Sequence, residues 1–295
     1  MSAPILTSIT SDRLSATVSS LGAELHSLAD AQGHQLQWDG DPAVWSGRAP
    51  ILFPVIGMLQ GGSYRLGEQH YAMPKHGFAR HSMFEIVEQA SHAITLRLCA
   101  SNATLAIYPF EFRLDIAFTL DDGTLDVKAT IANRGDTSMP ASFGFHPALR
   151  WPLPFGKPRA EHTIRFAGPE LAPIRRIDRS GFLSPTPRPT PVVGDTLALR
   201  DDLFVDDALI FDNLANRVVT YGAATGPRIE VRFDDFPILG VWSKPGADFI
   251  CIEPWQGFSD PIGFSGDIRH KPGIVEVAPG AKLCLGMRIA LLPAA

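Results

Sequence analysis

Long apolar runs are missing from this chain of 295 residues. No stretch approaches the ~18 consecutive apolar residues that suggest a membrane span. Met1 to Thr10 also lacks a basic segment followed by an apolar one, so no secretion leader is expected. Cysteine is scarce: Cys99, Cys251 and Cys284 are odd in number and widely spaced, without CxxC. They read as buried thiols of a reducing compartment, and a cytoplasmic location is expected. Basic charge is not in excess either. A formal net charge of -5 leaves no global field of the kind that releases counterions from phosphates, which argues against a nucleic-acid partner. The chain carries no GxSxG elbow, P-loop, HExxH or GxGxxG, which disfavours serine, zinc and dinucleotide chemistry.

What is present is apolar alternation. Hydrophobic residues make up 45% of the chain and charged residues 19%, enough to bury a sizeable core. Leu114, Ile116, Phe118 and Leu120, then Leu125, Val127, Ala129 and Ile131 after Asp121-Asp122-Gly123, predict a hairpin with one apolar face. The same period recurs at Ile94 to Leu98, Ile229 to Phe233 and Leu283 to Leu291. With 26 glycines and 25 prolines limiting helices to short pieces, the expected class is all-β, a sandwich or barrel. At this length one large β domain, 1–295, is expected. The proline-rich region from Pro169 to Pro191 reads as a long surface connection.

Two segments present directed polar groups. In Phe143-Gly144-Phe145-His146-Pro147, alternation puts both phenylalanines on one face and Gly144 with His146 on the other, so the glycine is expected to clear space beside the imidazole. Pro147 restricts the backbone of His146 and is expected to end its strand. Glu253 closes the apolar run Phe249 to Ile252 and also precedes a proline, and Trp255 follows with a face suited to sugar C–H groups. Taken singly, each is more often a structural hydrogen-bonding residue; together they form a candidate acid and base. A third cluster, Lys75-His76-Gly77-Phe78-Ala79-Arg80, is either a solvated turn or a polar pocket wall, and Arg48 stands before another apolar run.

At these residues the sequence resembles the aldose 1-epimerase (galactose mutarotase-like) superfamily in its LacX-like branch. The matching pieces are Gly47 to Pro54, His76 to Arg80, Phe143 to Pro147, Asp207 to Phe211 and Glu253 to Gly257, in that order along most of the chain. The resemblance implies a single-domain β-supersandwich with no metal or organic cofactor. It also implies His146 as proton donor to a sugar ring oxygen and Glu253 as base at the anomeric hydroxyl. His76 would sit near the ring oxygen, with Arg48 and Asp207 (or Asp206, one register step away) on hydroxyls. The reaction implied is interconversion of the α and β anomers of an aldohexose. Phe78-Ala79-Arg80 after His76-Gly77 is also a pattern of sugar-phosphate epimerases, so Arg80, with Lys75 and Arg48, stands as a candidate phosphate contact. A non-catalytic sugar-binding protein is the alternative from another class. Nothing in the sequence speaks to oligomeric state.

Overall fold

The computed structural model describes residues 3–294. The alternating segments are strands of one antiparallel nine-stranded sheet. Its order is Thr196–Ala198, Thr163–Phe166, Val218–Gly222, Arg228–Arg232, Lys282–Leu292, Thr124–Asn133, Phe112–Asp121, Ala93–Cys99 and Glu85–Gln89. The predicted hairpin is there, with Leu125 opposite Leu120, Val127 opposite Phe118, Ala129 opposite Ile116 and Ile131 opposite Leu114. Because the side-chain period is two, all eight face inward together. The same parity corrects the cysteine reading: Cys99 and Cys284 take outward positions and are exposed, and only Cys251 is buried.

A second, six-stranded sheet packs on the first. Its central strand, Phe249–Gln256, pairs on one side with Ile238–Trp242, which continues to Leu209–Phe211. On the other side it pairs with Ala148–Arg150 and then with Phe143–Phe145, which continues to Ile51–Leu52. One face contributes Phe143, Phe145, Leu239, Val241, Ile250 and Ile252 to the apolar core shared with the nine-stranded sheet. Each such side chain contributes roughly 1.5–3 kcal/mol by burial. Both faces are covered, which is why the central strand is buried along nearly its whole length. The opposite face carries Leu52, Gly144, Ile210, Ile238, Gly240, Cys251, Glu253 and Trp255, and it forms the floor of the candidate site.

The class is all-β. Among the described residues the α-helix is a single turn, Asn102–Leu105, closed by a Ser101–Thr104 capping box, and no helix is long and apolar enough to cross a membrane. The region from Pro169 to Pro191 departs from the expected surface connection. Ile174 bridges Arg188, Arg175 bridges Ile210 and Leu183 bridges Pro261, so the segment folds back as a strap over the six-stranded sheet. Its turn is fixed by Asp178, whose side chain accepts from the backbone of Ser180 and Phe182. The prolines exclude ladder strands, but Ile174 and Leu183 still gain by burial, and both are buried.

Candidate active site

The register of the central strand brings His146 and Glu253 together. Gly144 pairs with Trp255 and Ala148 with Cys251, so the residue midway, His146, lies opposite Glu253. The sequence-based expectation of two strand ends holds for His146, which directly follows the strand Phe143–Phe145, and is corrected for Glu253. Phe249–Gln256 runs through Pro254 without ending, and the chain resumes pairing after Pro147 as Ala148–Arg150. Each proline instead removes one N–H from the pairs flanking His146 and Glu253. Between Pro147 and Ile252 only the N–H of Ile252 bonds, to the Pro147 carbonyl at 3.3 Å. The ladder is thus loosened where the two side chains face each other, and His146 Nε2 lies 3.2 Å from Glu253 Oε2.

The environment of this pair is unusually dry. Glu253 is 1% exposed and His146 8%. Neither Glu253 oxygen and neither Nδ1 of His146 nor Nε1 of Trp255 has a hydrogen-bonding partner among the described residues. The close His146–Glu253 approach is an ion-pair distance without hydrogen-bond alignment. Trp45 stacks on the imidazole, with ring centroids 5.2 Å apart and planes at 29°, and Trp242 meets it edge-on at 5.9 Å. Burial, then the nearby positive charges of Arg80 and Lys75, push the His146 pKa down to about 3. Burial, then the charge of Asp207, holds the Glu253 carboxyl well above its ordinary range, although the nearby indole N–H of Trp255, which falls short of hydrogen-bond geometry, and the charge of Lys75 work against the rise. Desolvation disfavours both charged forms. Both shifts favour the neutral forms, with the shared proton on the carboxyl group beside a neutral imidazole. That form is a proton-transfer tautomer of imidazolium and carboxylate, with the same proton count.

A cavity of about 170 Å³ opens over the pair, walled by His76, Arg80, Asp207, Trp242, Trp255 and Ser259 among others. Asp207, not Asp206, faces it; Asp206 lies in an outer groove. Among the described residues, two of the four non-glycine residues with positive φ are cavity residues, His76 at 66° and Asp207 at 65°. Strained backbone of this kind is retained where a side chain must be aimed. The N–H of Gly57 donates to Nδ1 of His76 at 3.0 Å, and burial lowers the His76 pKa well below its ordinary value. A neutral ring whose Nδ1 accepts must carry its hydrogen on Nε2, so His76 is fixed as a donor.

Arg48 is the exception among the expected residues, because the structure does not bring it to the cavity wall. Its guanidinium donates to the His26 carbonyl, and its backbone N–H donates to Glu24, which ties it to the neighbouring three-stranded sheet, Leu6–Thr10, Leu14–Ser19 and Glu24–Asp30. Gly144 is also reassigned. A Cβ there would lie 2.7 Å from Trp255 Cδ1, and one on Gly240 would lie 2.7 Å from Cη2 and Cζ2 of the same ring. The two glycines flank the central strand and let the indole lie flat across the sheet, rather than clearing space for His146. Gly144→Ala is therefore expected to destabilise the protein by about 1–3 kcal/mol and to shift tryptophan emission. Thermal melts with parallel fluorescence check this, and an unchanged spectrum would contradict it.

Trp45, Trp242, Gly57, Ser259 and Ile177 are wall residues that the sequence reading did not single out. Trp242 was accessible in principle, since it shares the parity of Ile238 and Gly240 on one strand. His146, Cys251 and Glu253 each offer one donor atom within 4.8 Å of the others, the arrangement nearest to a metal-ligand set among the described residues. Burial raises the Cys251 thiol well above its ordinary pKa, so the sulfur is a protonated, poor ligand. The cluster is better suited to proton transfer.

A β-supersandwich with a buried, facing histidine and carboxylate on the floor of a polar and aromatic cavity defines a sugar-epimerase class. The chain belongs to the aldose 1-epimerase family, whose model matches residues 5–283. It is 32% identical over 270 residues to the plasmid-borne protein LacX of Lactococcus lactis subsp. lactis, covering 88% of this chain and 90% of that protein. A galactose mutarotase-like protein from Lactobacillus casei ATCC 334 is 31% identical and superposes with a TM-score of 0.91, covering 98% of this chain and all of that one (100%). A galactose mutarotase related enzyme from Lactobacillus acidophilus is 27% identical with a TM-score of 0.89, covering 99% and 98% of the two chains.

Proposed function

We propose that the protein is an aldose 1-epimerase that interconverts the α and β anomers of an aldohexose by acid–base ring opening and reclosure. The observation that carries this reading is the facing of His146 and Glu253 at 3.2 Å beneath the cavity. The ring oxygen and the anomeric hydroxyl of a sugar are bonded to the same carbon, so an acid and a base standing side by side reach both at once. Glu253 takes the proton of the anomeric hydroxyl while His146 gives one to the ring oxygen, and C1 becomes a carbonyl. Rotation about C1–C2 presents its other face, and reversal of both transfers closes the ring as the opposite anomer. The pair ends with the proton count it began with. Hydroxyl groups that enter between the two side chains supply the hydrogen bonds their polar atoms lack, and so favour the imidazolium–carboxylate tautomer that the first step needs.

In the same reading His76 donates from Nε2 to a sugar oxygen, Arg80 and Asp207 bind hydroxyls, and Trp255 supplies an apolar face. The reading includes one domain, since a contiguous core runs from Ile9 to Ile289. It also includes a cytoplasmic location, on the sequence grounds given above. The direct test is the exchange rate between anomers of glucose and galactose, measured by NMR above the spontaneous background. Acceleration that saturates with sugar concentration is expected. Binding without acceleration across a broad panel of aldoses would leave a sugar-binding protein instead.

A further inference from the structure

The cavity continues outward into a groove of about 780 Å³, with which it shares Lys75, Ile177, Asp207 and Trp242. The groove is built largely by the strap. Its walls carry five cations, Lys75, Arg176, Arg179, Arg188 and Lys244, against three carboxylates, Asp178, Asp206 and Asp207. This excess stands out in a chain of net charge -5. None of the five cations takes part in an ion pair among the described residues. Two of the carboxylates are engaged by backbone: Asp178 by the N–H groups of Ser180 and Phe182, and Asp207 by that of Ala208. Arg176 donates to the carbonyls of Leu203 and Asp207, contacts that fix it without neutralising it. Arg179 and Arg188 are exposed and their side chains make no hydrogen bond among the described residues.

Cations in excess of their counter-ions cost energy unless an anion joins them, and a cleft with an excess of one sign of charge concentrates ligands of the other sign. Burial pushes the Arg176 guanidinium down against the opposing charges of Asp206 and Asp207, and Arg188 adds to the fall; burial likewise lowers His146, with Arg80 and Lys75 adding to it. Arg48, the remaining candidate for an anionic contact, is tied up elsewhere.

We propose that the groove is an anion subsite, so that the sugar whose C1 meets His146 and Glu253 carries a phosphate or a carboxylate at its far end, received by Lys75, Arg179 and Arg188. This inference rests on the anomer-exchange reading for the orientation of the sugar. Guanidinium groups bind the oxygens of either anion in pairs, and a phosphate dianion gains more from three cations than a carboxylate does.

The experiment compares kcat/KM for anomer exchange of glucose, glucose 6-phosphate and glucuronate, for the wild type and for the double variant Arg179→Gln, Arg188→Gln. At low ionic strength glucose 6-phosphate is expected to exceed glucose by about tenfold or more, with the advantage shrinking as salt rises. The double variant is expected to lose most of that advantage while its kcat/KM for glucose stays unchanged. A larger effect on glucuronate would assign the subsite to carboxylates instead. Equal kcat/KM for all three sugars in the wild type, or an equal drop on all three in the variant, would overturn the subsite. Phosphorus NMR line broadening of glucose 6-phosphate reads binding without turnover. If no sugar is turned over, the epimerase reading fails, and the subsite still stands or falls on whether the double variant loses that broadening.

Discussion

Glu253→Gln is expected to lower kcat for anomer exchange by about 10²–10⁴-fold and, at neutral pH, to raise the melting temperature. Glutamine keeps the shape of the side chain but cannot accept the anomeric proton. The stability gain follows from the environment, because both Glu253 oxygens are buried without a hydrogen-bonding partner among the described residues. The folded-state pKa lies well above the ordinary value of 4.5. Between those two values the unfolded chain has already released the proton that the folded chain retains, so stability declines as pH rises through this window. Below it both states are protonated and the cost is absent. The variant's advantage in thermal melts should therefore be largest at neutral to alkaline pH and shrink toward zero as pH falls to 4.5. A variant less stable than wild type throughout would show that the carboxylate has a structural partner, and the catalytic reading of its isolation would fall.

The frame was legible in the sequence because its determinants are local. Alternation set the faces of the hairpin from Phe112 to Asn133, and its register followed from the short connection at Asp122 and Gly123. The same parity would have placed Cys99 and Cys284 outside, had it been applied to them. The facing of His146 and Glu253 was of another kind. It depends on pairing between residues more than a hundred positions apart, and no local pattern states that Gly144 meets Trp255. Reading each proline as a stop was reasonable for one strand alone. It holds at Pro147, before which the strand ends at Phe145, and fails at Pro254, because a proline removes a single donor and the other neighbour of the central strand, Ile238–Trp242, keeps the ladder intact. Gly144 was placed on the correct face for the wrong neighbour, since only the folded sheet shows the indole of Trp255 lying over it. The strap was hidden for a related reason: its prolines advertise exposure, while burial of Ile174 and Leu183 is decided by a surface that other segments provide.

His146→Asn is expected to cut kcat by a similar factor, about 10²–10⁴, and its pH dependence separates it from Glu253→Gln. In the free protein the pair behaves as one unit that gains a second proton near pH 3 and loses its first well above 4.5. For the wild type, kcat/KM plotted against pH should therefore form a broad plateau whose acid limb lies near 3, with no inflection at the ordinary histidine value of 6.5. The stability consequence has the opposite sense to that of Glu253. The folded His146 resists protonation while the unfolded one protonates at 6.5, so the folded state loses stability as pH falls from 6.5 toward 3, by roughly 1.4 kcal/mol per pH unit at most. Asparagine carries no such proton. The variant should match the wild type in thermal melts near pH 8 and surpass it near pH 4. An acid limb at 6.5 together with coincident melting curves would mean that His146 is solvated and charged in the free protein, and the proton would then have to be assigned to imidazolium from the outset.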